Sequence, residues 1–280
     1  MKRVLFIFAI LGLTTMVTFG QHIESFRAVG REVPRINVED RQVSGFTGIN
    51  ASSVFNITVQ RGNMESLVIE ADASVMPYVR SEVRNGVLYL SLSREFQDIE
   101  TLNATVVMPN LENVELSGAS RLVARDLFTP DRFMFTGNGS NFLDINLNAN
   151  TLLINVGGIS TIELNANVSE YARFSINGVA NISGNLITER VFFHYNGVGN
   201  VTLTGSATYG RINALGVPTI NLVDFPIREA TVLAPGVANI TVNATHTLSI
   251  NASGVSTVRY TGAATVTERN ASRMSRISRL

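Results

Sequence analysis

The segment FSINGVANI, residues 174–182, returns nineteen positions later as FHYNGVGNV, residues 193–201. In both copies a glycine, Gly178 or Gly197, is followed by valine and is flanked by apolar residues four positions to either side. The frame recurs at Gly118, Asn138, Gly158, Gly178, Gly197, Gly216, Gly236 and Gly254, with spacings of 20, 20, 20, 19, 19, 20 and 18 residues. Self-similarity at a fixed period indicates a repeat architecture.

Like residues stand in columns when the repeats are aligned on these anchors. The position four residues before the anchor is always apolar: Val114, Met134, Ile154, Phe174, Phe193, Ile212, Val232 and Ile250. The position four residues after it is also apolar: Leu122, Phe142, Ile162, Ile182, Val201, Ile220, Ile240 and Val258. The position three residues after it is polar: Arg121, Asn141, Thr161, Asn181, Asn200, Thr219, Asn239 and Thr257. Alternation with period two predicts short strands.

One such rung buries too little apolar surface to stand alone, so the rungs must stack. The sequence therefore predicts an all-β fold, a parallel β-helix-like solenoid with rungs of about 20 residues. We expect the anchor glycine to be a corner residue in a conformation closed to larger side chains, with Asn138 as its substitute.

The chain divides by pattern into four parts. Residues 1–20 resemble a signal peptide and residues 21–43 a polar leader. The β-solenoid is expected over residues 44–262, with a β cap and first layer at 44–110 and eight rungs at 111–262. Residues 263–280 form an Arg-rich tail, of which residues 268–280 lack a strand period and are predicted to be a frayed end or a loose cap. The tail could contact anionic lipid or polysaccharide, but a disordered, solubilising end is the favoured interpretation.

The N-terminus has the order of segments that is typical of an exported protein. Lys2 and Arg3 precede an apolar run, and the small residues Thr18 and Gly20 stand at the expected cleavage positions. We therefore expect the mature chain, without an integral membrane span, in the periplasm, at the outer-membrane surface or outside the cell.

Several short motifs resemble a known bacterial family. They are the triplet Gly48-Ile49-Asn50, the strand-like run 55–59, the turn at 85–88, and the run 109–120 that leads into the first anchor. Together they resemble the putative auto-transporter adhesin, head GIN domain family, over roughly residues 44–262. The resemblance implies a β-helical fold and export to the envelope. The C-terminal residues lack the pattern of a translocator barrel, so surface display is expected to need other machinery.

Composition argues against most chemistry. The chain has no cysteine, and its 22 basic residues balance 22 acidic ones, which supplies no basic footprint for nucleic acid. The acidic residues expected to lie at differing offsets are Asp126, Asp144, Glu163, Glu189, Asp224 and Glu229. The histidines are His22, His194 and His246, with His194 expected to point outward and His246 to lie in a turn. We therefore predict no catalytic residues, no metal site and no cofactor, and rank a polysaccharide-active enzyme last.

The leading hypothesis is an exported adhesin-like module that binds a glycan or a protein through one solenoid face, with binding residues unassigned. The alternative is an envelope scaffold or sensory protein without an extracellular ligand. The column of Asn141, Asn181, Asn200 and Asn239 could offer a hydrogen-bonding face to a glycan, although a ladder bonded along the stack is favoured. Oligomeric state is left open.

Overall fold

The computed structural model describes residues 35–272 and 274–280, so the predicted signal peptide lies outside the described residues. Of the described residues, 74% lie in strands and 1% in helix, so this part of the chain is nearly all β. A single turn of 3₁₀ helix spans Met76–Tyr78. The strands of the described residues are β1 (Ile36–Arg41), β2 (Gly48–Ser53), β3 (Asn56–Arg61), β4 (Ser66–Asp72), β5 (Val79–Arg84), β6 (Val87–Leu92), β7 (Leu102–Met108), β8 (Asn113–Gly118), β9 (Arg121–Phe128), β10 (Arg132–Gly137), β11 (Ser140–Val156), β12 (Ile159–Ile176), β13 (Val179–Tyr195), β14 (Val198–Ala214), β15 (Val217–Ala234), β16 (Asn239–Ala252), β17 (Thr257–Thr261), β18 (Thr265–Ala271) and β19 (Arg276–Arg279).

From β8 onward, every described strand pairs in parallel with the equivalent strand one rung away. Ile154 faces Phe174, Phe174 faces Phe193, and Phe193 faces Ile212 in successive rungs. The result is a β-solenoid of about nine turns with rungs of about 19 residues. The predicted parallel solenoid is therefore confirmed.

Each rung has two strand segments, which we call arms, one before and one after the anchor glycine. Equivalent arms of successive rungs stack into two sheet faces. The arms that precede the anchor glycines form what we call the pre-glycine sheet: residues 113–118, 132–137, 151–156, 171–176, 190–195, 209–214, 229–234 and 247–252. The arms that follow the glycines form the post-glycine sheet. Alternate side chains of both sheets point into one continuous core.

The core is built from the columns that the repeat predicted. Phe174 and Phe193 lie on neighbouring rungs, fully buried, with ring centroids 4.8 Å apart in a stacked arrangement. Burying one such side chain contributes about 1.5–3 kcal/mol. Because the same apolar position recurs in each rung, the core continues without a break along the stack.

The glycine column corrects the predicted register of one rung. Gly139, not Asn138, stacks between Gly118 and Gly158, since Ser140 pairs with Ile159. The corresponding core residues are therefore Phe135 and Leu143, both fully buried, whereas Met134 and Phe142 are only partly buried. A one-residue slip in a strand moves every side chain to the opposite face.

The physical role of the glycines also differs from the prediction. Most of them do not have a positive φ; Gly118 and Gly254 are the two members of the column that do. The backbone of the preceding rung excludes a side chain at these positions. A Cβ on Gly197 would lie 1.8 Å from the carbonyl oxygen of Gly178, and a Cβ on Gly178 would lie 2.0 Å from that of Gly158. The column is glycine because the backbones approach closely there.

The N-terminal strands end both sheets with antiparallel pairs. β2 and β3 are parallel to β8 and β9 and continue the solenoid. Beyond them, β5 pairs antiparallel with β6, and β4 pairs antiparallel with β7 and with β1. This arrangement is the predicted β cap, which covers an otherwise open edge. The prediction of a leader over residues 21–43 is wrong for its described end, because β1 is a strand that pairs with the edge of β4.

Of the two alternatives for residues 268–280, a frayed end or a loose cap, the frayed end is wrong for the described residues. β18 pairs in parallel with β16, and β19 pairs in parallel with β17. Ile277 stacks on Val258 and is 6% exposed, so it extends the apolar column by one more rung. Arg269, Arg276 and Arg279 are exposed beside the apolar position, and these charges hid the strand period in the sequence.

Candidate binding surface

An aromatic and basic cluster lies on the outer face of the pre-glycine sheet. Phe192 stands at its centre, with Arg173 and Arg211 as its register partners on the rungs to either side. A neighbouring column carries Tyr171, Arg190 and Tyr209 on the same three rungs. We call these six residues the Arg-aromatic patch. Their shared direction follows from strand alternation, because every second residue of an arm points outward.

The aromatic rings of the patch contact one another. The ring centroid of Phe192 is 6.3 Å from that of Tyr171 and 6.2 Å from that of Tyr209. The Arg173 guanidinium carbon lies 5.7 Å from the Phe192 centroid and 5.9 Å from the Tyr171 centroid. Such edge and cation–π contacts hold the side chains in place. The patch therefore offers a pre-organised, half-exposed aromatic surface between positive charges.

The charges of the patch are exposed. Arg173, Arg190 and Arg211 are all solvent-exposed, and no carboxylate of the described residues lies within 4.0 Å of their guanidinium nitrogens. By contrast, Arg125 on the post-glycine side donates to Asp144 at 2.9 Å. A cluster of unneutralised guanidinium groups on a rigid sheet attracts anions.

A shallow depression of about 260 Å³ runs along the patch. It is lined by Arg173, Ser175, Phe192, Phe193, His194, Arg211 and Asn213. The Nδ2 atom of Asn213 lies 3.4 Å from Nδ1 of His194, which points outward as predicted. Hydroxyl, amide and imidazole groups thus stand beside the aromatic surface, where they can exchange hydrogen bonds with a polar ligand.

Sequence reasoning missed this patch, although a signal for it exists. Arg173, Phe192 and Arg211 all stand five residues before an anchor glycine, and Tyr171, Arg190 and Tyr209 all stand seven before it. Aligning these offsets would have placed the three arginines and three aromatic residues on one face.

The acidic residues do not assemble a recognisable centre. With the corrected register, Asp144 and Glu163 are direct partners on adjacent rungs, contrary to the expectation that they occupy different offsets. Asp144 is bound by Arg125, Asp126 accepts from the Arg61 backbone at 2.8 Å, and Glu189 accepts from Thr208 at 2.9 Å. Within residues 35–272 and 274–280, no three His, Asp or Glu side chains are placed to hold a metal ion.

The asparagine column separates into different roles. Asn141 is buried and donates to the Leu116 carbonyl oxygen, so it does not belong to the outward column. Asn200 donates to Asn181 at 2.9 Å, and Asn239 accepts from Arg259 at 2.9 Å. A second ladder, which the sequence analysis missed, joins Asn146, Asn165, Asn185 and Thr204 with distances of 3.1, 3.4 and 3.4 Å. The amides bond along the stack, as the favoured interpretation expects.

An exposed aliphatic column runs along the edge beside the glycines. Its members directly follow the anchors and are between 37% and 55% exposed: Ile159, Val179, Val198, Val217, Val237 and Val255. We call it the aliphatic column. Contiguous apolar surface of this kind is uncommon on monomeric proteins and marks contact surfaces.

Inside the solenoid, one tyrosine is held by hydrogen bonds. Tyr195 is fully buried, and its hydroxyl donates to the Ala180 carbonyl oxygen. Burial raises the pKa of the Tyr195 phenol to about 12, although the hydrogen bond to Ala180 partly opposes the shift. The hydroxyl fits there because Gly199 lies beside it; a Cβ on Gly199 would be 2.7 Å from the phenolic oxygen.

His246 lies apart from the Arg-aromatic patch. His246 is exposed and lies within β16, at the corner between the two arms rather than in an open turn. Among the described residues, no helix is long and apolar enough to cross a membrane.

Solved structures with this fold include two putative adhesins and a putative lipid binding protein from Parabacteroides species. A putative adhesin from Parabacteroides distasonis is 17% identical, with a TM-score of 0.67 over 89% of this chain and 98% of its own. A putative adhesin from Parabacteroides merdae is 15% identical, with a TM-score of 0.60 over 88% and 96%. A putative lipid binding protein from Parabacteroides distasonis is 16% identical, with a TM-score of 0.60 over 88% and 96%. At these identities the likeness shows the fold.

No curated protein sequence matches the chain. A family model does match, over residues 45–185 and 168–264, which together include the Gly48-Ile49-Asn50 triplet and most of the described rungs. The chain belongs to the family described as putative auto-transporter adhesin, head GIN domain.

Proposed function

We propose that this chain is an exported, non-enzymatic adhesin-like module that binds a glycan or a protein through the outer face of the pre-glycine sheet. The observation that carries the proposal is the Arg-aromatic patch, in which Phe192 lies between the exposed, unneutralised Arg173 and Arg211. Aromatic and arginine side chains contribute most of the binding energy at many recognition surfaces. Family membership supports a binding role.

The test compares binding by the mature chain and two variants on a panel of immobilised glycans and cell-surface proteins. Phe192→Leu keeps apolar bulk but removes the ring, and Asn200→Ala serves as the matched control on the post-glycine sheet. We expect the first variant to lose binding and the second to keep it, with both chains folded by circular dichroism. Equal binding by both variants would place recognition elsewhere on the molecule.

A second candidate function is an envelope scaffold without an extracellular ligand. The aliphatic column favours it, because six outward Val and Ile side chains on successive rungs could pack against another protein. Protease treatment of intact cells separates the two functions. Cleavage on intact cells supports the adhesin-like module, whereas protection until the outer membrane is permeabilised supports the scaffold.

A further inference from the structure

We infer that the Arg-aromatic patch recognises an acidic polysaccharide, a glycan whose sugars carry carboxylate or sulfate groups. The inference rests on the proposed function and adds the ligand's chemical class. It follows from two features of one rigid face: an aromatic surface on which a sugar ring can stack, and arginine guanidinium groups on the neighbouring rungs that can bind anions.

The charge of the patch is local. The whole chain has 22 basic and 22 acidic residues, so no general positive field surrounds it. Three arginines nevertheless occupy outward positions on three adjacent rungs, and Glu229, the next residue in the Tyr209 column, marks the end of the positive surface. Arginine presents a planar fork that binds carboxylate or sulfate oxygens with two parallel hydrogen bonds. The site therefore selects for anionic groups.

The spacing suits a chain of sugars. Arg173 and Arg211 are separated by two rungs, which places their backbones about 9.6 Å apart at the ~4.8 Å separation of neighbouring strands. This distance is comparable with the length of a disaccharide. A polymer that runs along the solenoid axis can therefore place one ring on Phe192 while anionic groups on the flanking units meet the two arginines.

The size and open form of the depression also suit one sugar ring of a polysaccharide. Its volume of about 260 Å³ lies below the ~300–1,000 Å³ that is usual for drug-sized ligands, and it is partly open to solvent. A single sugar ring can occupy the centre while the polymer continues in both directions. Ser175, His194 and Asn213 line the same depression and supply hydrogen-bonding partners for ring hydroxyl groups.

The experiment measures binding of the mature chain to three soluble probes: dextran sulfate, polygalacturonate and neutral dextran. Dextran and dextran sulfate share a backbone, so their difference isolates the anionic group. We expect binding to both anionic probes and none to dextran. Affinity should fall as salt rises, because the contacts are exposed charge pairs.

Two variants test the residues. Arg173→Ala combined with Arg211→Ala is expected to weaken binding of the anionic probes by at least about tenfold, since it removes two charge-assisted contacts. Arg80→Ala removes an exposed arginine of the cap and should leave affinity within about twofold. All these side chains are exposed, so the melting temperatures should stay close to that of the unchanged chain, which separates lost binding from unfolding.

The possible failures are distinguishable. Equal affinity for dextran and dextran sulfate, or equal losses in the Arg173/Arg211 and Arg80 variants, overturns the acidic-glycan inference and leaves the binding module intact. Binding to phosphatidylglycerol vesicles but to neither anionic polysaccharide overturns it in favour of a lipid surface. Absence of binding to any glycan, protein or cell surface on the wider panel refutes the proposed function together with the inference.

Discussion

Replacing Gly158 by alanine tests whether the glycine column exists for close backbone approach. A Cβ at this position would lie 2.4 Å from the Gly139 carbonyl oxygen and 2.7 Å from the Asn138 carbonyl carbon, against an ordinary contact of at least 3.4 Å. To accommodate the Cβ, the two rungs must separate locally by about 1 Å. This separation would break the backbone hydrogen bond from Ile159 to Gly139, which is 2.7 Å long. Overpacking costs about 1–3 kcal/mol, and a lost hydrogen bond about 1 kcal/mol more. We expect a loss of about 2–4 kcal/mol in the free energy of unfolding.

The neighbouring glycine provides a matched control. A Cβ on Gly157 would meet only Oδ1 of the Asn138 side chain, at 3.0 Å, and that flexible side chain can move. Urea unfolding of the Gly158→Ala and Gly157→Ala chains, followed by circular dichroism, compares the two midpoints at constant slope. A Gly158→Ala chain as stable as the Gly157→Ala chain would refute close approach as the reason for the column.

Three further predictions concern stability. Tyr195→Phe should reduce the loss of stability at alkaline pH. The phenol has a pKa near 10.0 in the unfolded chain and about 12 in the fold, so the free energy of unfolding of the unchanged chain falls between these pH values. Urea titrations at alkaline pH should show a smaller fall for the variant. Asn181→Ala with Asn200→Ala should lower Tm by about 2 °C, because it removes one exposed hydrogen bond, and should leave acidic-glycan binding unchanged in the same assay. Deleting residues 263–280 uncovers the edges of β16 and β17. Calorimetry should then show a lower Tm, and light scattering should show association through the exposed edges. A shortened chain with the same Tm that stays monodisperse would contradict a structural role for this rung.

The sequence was sufficient to predict the architecture because the apolar columns repeat at a nearly constant period. It was insufficient at Asn138, where the average spacing favoured the wrong residue. The step from Gly118 to Gly139 is one residue longer than the expected period, and the strand pairing there is irregular after Ile145. Both Asn138 and Gly139 suit a corner, so local chemistry could not decide between them. Only the position of the neighbouring rungs fixes the register.

The last rung was missed for a different reason. Ile277 lies nineteen residues after Val258, which is one rung, but Arg276 and Arg279 surround it with charge and mask the alternation. Charged side chains on an edge strand discourage pairing with other chains, so the same residues that concealed the strand suit its position at the end of the stack.

The Arg-aromatic patch could not be recognised from columns of like residues, because the outward residue type at its two offsets changes from rung to rung. Repeated polar positions are satisfied along the stack: Asn200 donates to Asn181, and the next ladder bonds in the same way. Such columns keep few free donors for a ligand, however regular they look in the sequence. At Arg173, Phe192 and Arg211 the residue type alternates between rungs, so the column holds charge that no described carboxylate neutralises. In this solenoid the repeated polar positions serve stacking, so the proposed recognition site lies where the pattern is interrupted. A ligand in contact with three rungs there would span about 10–14 Å of the axis.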